Sequence, residues 1–202
     1  MDLPAPRAVH EIAEALRRHG HQAWAVGGAL RDVVLGRPAV DWDVATSAKP
    51  DQVRTIFKRT VPIGVEHGTV GVLWKDGVLY EVTTFRRDVE TDGRHAVVAF
   101  ADTIEDDLAR RDFTINALAW DPATRELYDP FDAGADLDAR VIRTVGDAAA
   151  RFAEDYLRVL RALRFAGQLD YTIESATWTA LQAAVPALPR LSAERVREEL
   201  WK

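Results

Sequence analysis

The sequence predicts an α+β protein: a small mixed sheet flanked by helices, followed by an all-helical segment. Three observations predict it. Short β-like runs between residues 22 and 85 are linked by hairpin-type turns and not by a repeated βαβ pattern. Beyond about residue 140 the apolar residues recur at helical spacing. A hydrophobic content of 48% with 29% charged residues over 202 residues supports a packed core in one large domain or two small ones.

Taken in order, Ala5 to His19 places Val9, Ile12, Ala13 and Leu16 on one helical face, and Gly20 stops it. Gln22 to Val26 reads as the first strand. Ala29 to Leu35 reads as a short helix ending at Gly36. Trp42 to Ala45 is the second strand. Pro50 to Lys58 is helical, with Ser47 or Asp51 as a cap. Thr69 to Trp74 and Val78 to Phe85 are strands joined by the turn Lys75-Asp76-Gly77. Arg86 to Ala96 is polar and lacks periodicity, which predicts a mobile loop. Ile104 to Trp120 reads as a charged start, Arg110-Arg111-Asp112, running into an apolar helix with Asp112 and Asn116 on one face. The turn-rich stretch Leu127 to Leu137 precedes a boundary near Arg140 to Gly146, dividing the chain into 1–140 and 141–202. Asp147 to Phe165 predicts one helix with an apolar stripe at Phe152, Tyr156, Leu157, Leu160 and Leu163. Asp155, Arg158, Arg161 and Arg164 recur on it every three residues. Helices over Ser175 to Val185 and Ser192 to Trp201 follow, with Ser192 as an N-cap.

The chemistry concentrates in residues 24–46, WAVGGALRDVVLGRPAVDWDVAT. Residues i and i+2 of a strand share a face, so Asp41 and Asp43 are expected to project side by side. Two adjacent carboxylates repel unless a cation lies between them. Mg²⁺ is the natural occupant, because it takes a few carboxylates and completes its shell with water and substrate phosphates. Gly27 and Gly28 allow close backbone approach, and the helix N-terminus that follows offers N–H groups to a phosphate. A phosphate cradle beside a two-carboxylate metal site is an arrangement for nucleotidyl transfer. Glu81 becomes a third carboxylate if its strand neighbours the one carrying Asp41. Asp155 supplies acceptors and Arg158 donors, and together they can imitate a Watson–Crick partner for cytosine or adenine.

The whole segment, together with RRDFTINAL, EDYLRVLRALRF and LSAERVREEL in that order, resembles the class II tRNA nucleotidyltransferases (CCA-adding enzymes) and bacterial poly(A) polymerases of the DNA polymerase beta superfamily. The resemblance runs from Ala23 to Leu200. It implies a polymerase beta-like catalytic head at 1–140 and a helical, nucleotide-selecting neck at 141–202. It implies Mg²⁺ at Asp41 and Asp43, with Glu81 assisting. Gly27, Gly28, Arg31, Arg111, Asp112 and Asn116 are implied to hold triphosphate and ribose, and Asp155, Arg158, Arg161 and Arg164 to select or support the base. CTP and ATP are the implied substrates and a tRNA 3′ end the implied partner. The alternatives are a CC-adding or A-adding enzyme, a poly(A) polymerase, or a nucleotide- or RNA-binding core without full activity. Family members usually continue into body and tail segments that hold tRNA; these are expected to be absent here.

Composition bounds the remainder. With no cysteine, a disulfide partner and a thiolate zinc site are excluded, and a reducing cytoplasm fits. No signal peptide and no membrane span of about 18 apolar residues is evident. The net charge of −6 works against a broad nucleic-acid grip, since phosphate contacts need Lys and Arg. From Arg140 to Lys202, however, ten Lys and Arg face eight Asp and Glu, so the local balance is +2.

Overall fold

The computed structural model describes residues 1–91 and 96–202. In chain order the elements are α1 (Arg7–Arg18), β1 (Ala23–Val26), α2 (Gly27–Val34), β2 (Asp43–Thr46), α3 (Pro50–Ile56), β3 (Thr60–Gly64), β4 (Thr69–Leu73), β5 (Leu79–Thr84), β6 (Arg86–Thr91) and β7 (Ala96–Phe100). These are followed by α4 (Ile104–Ala109), β8 (Ala119–Trp120), β9 (Leu127–Tyr128), α5 (Ala133–Ala139), β10 (Val141–Ile142), α6 (Ala148–Glu154), α7 (Leu157–Leu169), β11 (Thr172–Ile173), α8 (Ser175–Ala184) and α9 (Ala193–Leu200). A seven-stranded sheet runs β3-β4-β5-β2-β1-β8-β9. Its β2–β5 pairing is parallel and its other pairings are antiparallel, so the mixed sheet is as expected. A two-residue parallel pair, β10–β11, ties the helical segment together.

Alternation along the strands decides which face carries chemistry. Val44, Val70, Val72, Tyr80 and Val82 point to one face, where they are buried with Val9, Ile12 and Leu16 of α1 and Val53 of α3. Asp43, Glu81 and Thr83 occupy the intervening positions and so face the other way. The core continues without a break through Trp120 into Phe152, Val159, Phe165 and Leu181 of the helical segment. A smaller cluster, Val26, Ala45, Phe85, Ile104 and Leu108, seats α4 against the chemical face.

Several elements differ from the sequence expectation. Residues 86–91 are strand β6, paired antiparallel with β7, and not a loop; residues 92–95 of that expected loop lie outside the described residues. The apolar helix expected through Phe113 to Leu118 is replaced by a 3-10 turn at Thr114–Asn116 and by β8. The cause is tertiary pairing: Phe113 bridges Thr144, Thr114 N–H donates to the Arg143 carbonyl at 2.9 Å, and Val145 N–H donates to the Asp112 carbonyl at 3.1 Å. The single helix expected from Asp147 to Phe165 breaks at Asp155, whose backbone is extended (φ −153°, ψ 107°). Its carboxylate accepts from Leu157 N–H at 3.0 Å, an alternative to the helical bond. The break rotates the stripe, so Val159, Ala162, Phe165 and Leu169 are buried while Leu163 is exposed. Ser47 does not cap α3; its hydroxyl accepts from Gln22 N–H at 2.9 Å. Ser192 caps α9 as expected.

Glu174 caps α8 by accepting from Thr177 N–H at 2.7 Å. Bonds from the Ala176 and Thr177 N–H groups pull its pKa from 4.5 down to about 2. The folded state therefore binds this proton less readily than the unfolded one. The stabilisation is complete above pH 4.5 and is lost as pH falls towards 2. Glu174→Ala is expected to cost about 1 kcal/mol at pH 7. Thermal unfolding should show that difference shrinking between pH 4.5 and 2.

Candidate active site

β1 delivers the chain to Gly27 in the left-handed region (φ +83°). A Cβ there would lie 2.8 Å from Asp43 Oδ2 and 3.8 Å from Arg111 Nη1, so only glycine permits the approach. Asp43 opens β2 and is in register with Glu81 on β5, which places the two carboxylates on neighbouring strands of one face. Asp41 lies before the strand and is exposed. Burial, helped by the charges of Glu81 and Asp41 and opposed by Arg111, raises the Asp43 pKa to about 6. Among the described residues no group of three or more Asp, Glu or His side chains encloses an ion. Mg²⁺ does not require one, since one or two carboxylates plus substrate phosphates suffice. Hard oxygen donors crowded without enough counter-charge fit such an ion.

Gly27, Asp43, Glu81 and Arg111 open onto a cavity of about 500 Å³. Of the residues expected from the sequence, Gly27, Gly28, Arg31, Asp43, Glu81, Arg111, Asp112, Asn116, Asp155, Arg158 and Arg161 line it; Asp41 and Arg164 do not. The wall is held by ion pairs and hydrogen bonds. Arg31 donates to Asp32 at 2.7 and 2.8 Å and to Asn116 Oδ1 at 2.9 Å. Asn116 Nδ2 donates to Asp112 Oδ1 at 3.2 Å, and Arg161 Nε to Asp112 Oδ2 at 2.7 Å. The Arg161 guanidinium, with hydrogen bonds from Asn116 and the Phe113 N–H, overcomes burial and holds the Asp112 carboxyl below its ordinary pKa. Arg158 donates to Glu154 at 2.5 Å and to the Arg110 carbonyl at 3.1 Å, while Asp155 is gripped by Arg195 of α9 at 2.8 Å. Arg164 turns instead to Glu199, at 2.5 Å.

Thr69, Thr83, Arg86, Asp107 and Phe165 also line the cavity and escaped the sequence reading, and Arg110, read there as part of the charged Arg110-Arg111-Asp112 start without a site role, lines it too. Asp107 was detectable, because it stands four residues before Arg111, to which it binds at 3.2 Å. Phe165 carried no polar signal. Its ring collects the guanidinium carbons of Arg31, Arg161 and Arg164 at 5.3, 5.2 and 4.3 Å.

Residues 23–143 match the model of the poly A polymerase head domain. The chain belongs to that family. Residues 170–202 match a second model, described as the probable RNA and SrmB-binding site of polymerase A. Family relatives include a CCA-adding enzyme of Geobacillus thermodenitrificans, 48% identical over 193 residues, which cover 95% of this chain and 47% of the relative. The solved Bacillus stearothermophilus CCA-adding enzyme in complex with CTP superposes with a TM-score of 0.90 at 44% identity, covering 99% of this chain and 48% of that one. A Thermotoga maritima CCA-adding enzyme in complex with tRNA gives a TM-score of 0.78 at 28% identity, covering 96% and 45%. The chain thus spans about half the length of the relatives it matches.

Proposed function

We propose that this chain transfers nucleotides from CTP and ATP to the 3′ hydroxyl of a tRNA, adding C and A with release of pyrophosphate. The observation that carries the reading is the Asp43–Glu81 pair beside Gly27 at the mouth of an arginine-walled cavity. Asp43 and Glu81 would hold Mg²⁺, and Asp41, exposed just before β2, adds its negative charge from outside the cavity. When bound, that ion activates the attacking hydroxyl and stabilises the leaving pyrophosphate. The chain's own residues do the positioning. Gly27 and Gly28 leave room for triphosphate oxygens against the start of α2. Arg111 is pre-oriented by Asp107 and the Asn116 carbonyl, so its guanidinium needs little reorganisation to meet a phosphate. Asp112 and Asn116 fix the ribose side of the cavity and hold Arg161 in place. Residues 1–140 carry this chemistry, and residues 141–202 choose the base. Among the described residues no helix is long and apolar enough to cross a membrane. With no cysteine in the chain, the cytoplasm is the compartment we infer.

The deciding experiment is extension of a tRNA that ends before its CCA, first with CTP and then with CTP plus ATP. Two additions with CTP and a third only with ATP support the proposal. Addition of C alone, of A alone or of many A residues identifies a CC-adding, A-adding or poly(A)-forming enzyme. CTP binding without product in the presence of Mg²⁺ identifies a binding core.

Asp155 and Arg158 form the base-reading edge of this proposal. Asp155 is outside the helix and depends on Arg195 for its orientation. Asp155→Ala is expected to reduce the preference of CTP over UTP by about tenfold or more, the scale of one charged hydrogen bond. The turnover number with CTP should fall less. Competition kinetics with the two nucleotides checks it.

A further inference from the structure

The register of the sheet extends the site beyond its carboxylates. One row crosses four strands: Val61 on β3, Gly71 on β4, Glu81 on β5 and Asp43 on β2. Beside it lies the pair Leu73–Leu79. Residues in one row share a face, so Val61 and Leu79 stand on the side that carries Asp43 and Glu81. Gly71 shows how this end is surfaced. A Cβ on it would meet Ile63 Cδ1 at 2.6 Å and Leu79 Cδ1 at 3.0 Å. The missing side chain lets those two residues close over the strand as a low apolar shelf. Val61, Ile63 and Leu79 are nonetheless 42%, 43% and 44% exposed. Among the described residues, three apolar side chains are therefore left uncovered next to a strongly polar site.

The sheet order fixes which reactant this shelf faces. The arginine-lined cavity extends from Gly27, Gly28 and α7 to Thr83 on β5 and Thr69 on β4 without including Val61, Ile63, Gly71 or Leu79. Its glycine end, where the triphosphate is proposed to sit, lies on the β1 side of Asp43. In an in-line displacement the attacking and leaving oxygens lie on opposite sides of the transferred phosphorus. With the triphosphate seated on the β1 side, the attacking hydroxyl arrives from the β5-β4-β3 side. Gly71 is two strand spacings from Asp43, about 10 Å, which is the room one or two nucleotides occupy. We propose that Val61, Ile63 and Leu79 form the seat of the last nucleotides of the acceptor RNA, whose bases and sugars lie against the apolar shelf while the 3′ hydroxyl reaches the Asp43–Glu81 pair. Contact with apolar side chains reads no hydrogen-bonding edge, so this seat tolerates whichever base was added last. The proposal rests on the transfer reading above.

The test uses the full chain and an RNA hairpin with a single-stranded 3′ end carrying 4-thiouridine at its penultimate position. Irradiation is expected to cross-link that nucleotide to peptides of β3 to β5. The double substitution Ile63→Ser with Leu79→Ser is expected to weaken RNA binding and raise the KM for RNA by about tenfold, the scale of covering the less than half of each side chain that is still exposed. The affinity for CTP in the presence of Mg²⁺ should not change. Unchanged RNA affinity, or cross-links confined to α7 or the nucleotide cavity, overturns the proposal. A fall in CTP affinity that matches the fall in RNA affinity also overturns it, because the shelf would then only support the fold. If the wild-type chain adds no nucleotide, yet cross-links at β3 to β5 and loses RNA binding on double substitution, the seat stands and the transfer reading falls.

Discussion

Asp43→Asn is expected to abolish nucleotide addition while leaving the metal-free protein at least as stable as the wild type. The two effects have one cause. Asp43 is held at a pKa of about 6 by burial and by the neighbouring Glu81 and Asp41 charges, with Arg111 compensating only in part. Its folded pKa is raised above the ordinary 3.8, so the folded state prefers the protonated form. Stability from that preference is fully present below pH 3.8 and lost as pH rises through 6. At neutral pH the ionised carboxylate therefore costs on the order of 2 kcal/mol. Asparagine keeps the shape and removes the charge. At about 2–4 °C per kcal/mol for a chain of this size, Tm should rise by several degrees at pH 8 in EDTA. The gain should shrink towards pH 4. Activity should fall by at least ~10³-fold, because a lost metal forfeits several kcal/mol of transition-state stabilisation.

Asp41→Asn provides the comparison. Asp41 is exposed, precedes the strand and does not line the cavity. Removing its charge relieves only the last-ranked contribution to the Asp43 shift. The expected stability gain is correspondingly small. Thermal melts of the two variants with and without Mg²⁺, beside extension assays, check both statements. A metal-free Asp43→Asn protein less stable than the wild type would contradict the account of a cation-seeking site.

What the sequence made legible is what lies close along the chain. Gly27, Gly28 and Asp43 sit within one strand–helix–strand passage, so short-range spacing sufficed to place them. Glu81 was named as conditional on a neighbouring strand, and the parallel β2–β5 register supplies that condition. The extended backbone at Asp155 was hidden, because its flanks are good helix formers and the residue that grips it, Arg195, stands 40 positions away. β3 was hidden for another reason. Its Thr-Val-Pro-Ile-Gly sequence contains residues that weaken a central strand, but β3 is an edge strand, where proline is tolerated. The polar strand β6 gave no apolar alternation to read, and among the described residues it pairs only with β7. In the stretch after Arg111, pairing with residues 143–145 overrides the local preference for helix, as tertiary context commonly does.

Asp112→Ala is expected to be the most destabilising single change in the cavity wall. Asp112 is buried, and its oxygens accept from Phe113 N–H at 2.8 Å, from Asn116 at 3.2 Å and from Arg161 at 2.7 Å. Truncation strands the Asn116 Nδ2 group and leaves Arg161 largely buried without its first partner. Breaking a buried pair from one side costs about 3–5 kcal/mol. Arg161 also reaches Glu199 at 3.7 Å, and Glu199, itself buried, is held by Arg164 at 2.5 Å. That second carboxylate partly compensates the orphaned guanidinium, which puts the expected loss near 3 kcal/mol, a Tm lower by roughly 6–12 °C. The Asp112 carboxyl is held below its ordinary 3.8, so the wild-type advantage is present above pH 3.8 and vanishes as pH falls below it. Replacing both partners by leucine removes both charges at similar volume and should recover much of the stability, because a filled apolar contact often matches a buried ion pair. Nucleotide binding should not return in that double variant. Arg161 would then be missing from the cavity wall, and Asn116, which Asp112 orients, would no longer be fixed against Arg31. Denaturant unfolding of the two single variants and the double variant, set beside CTP binding, separates what this pair does for the fold from what it does for the site.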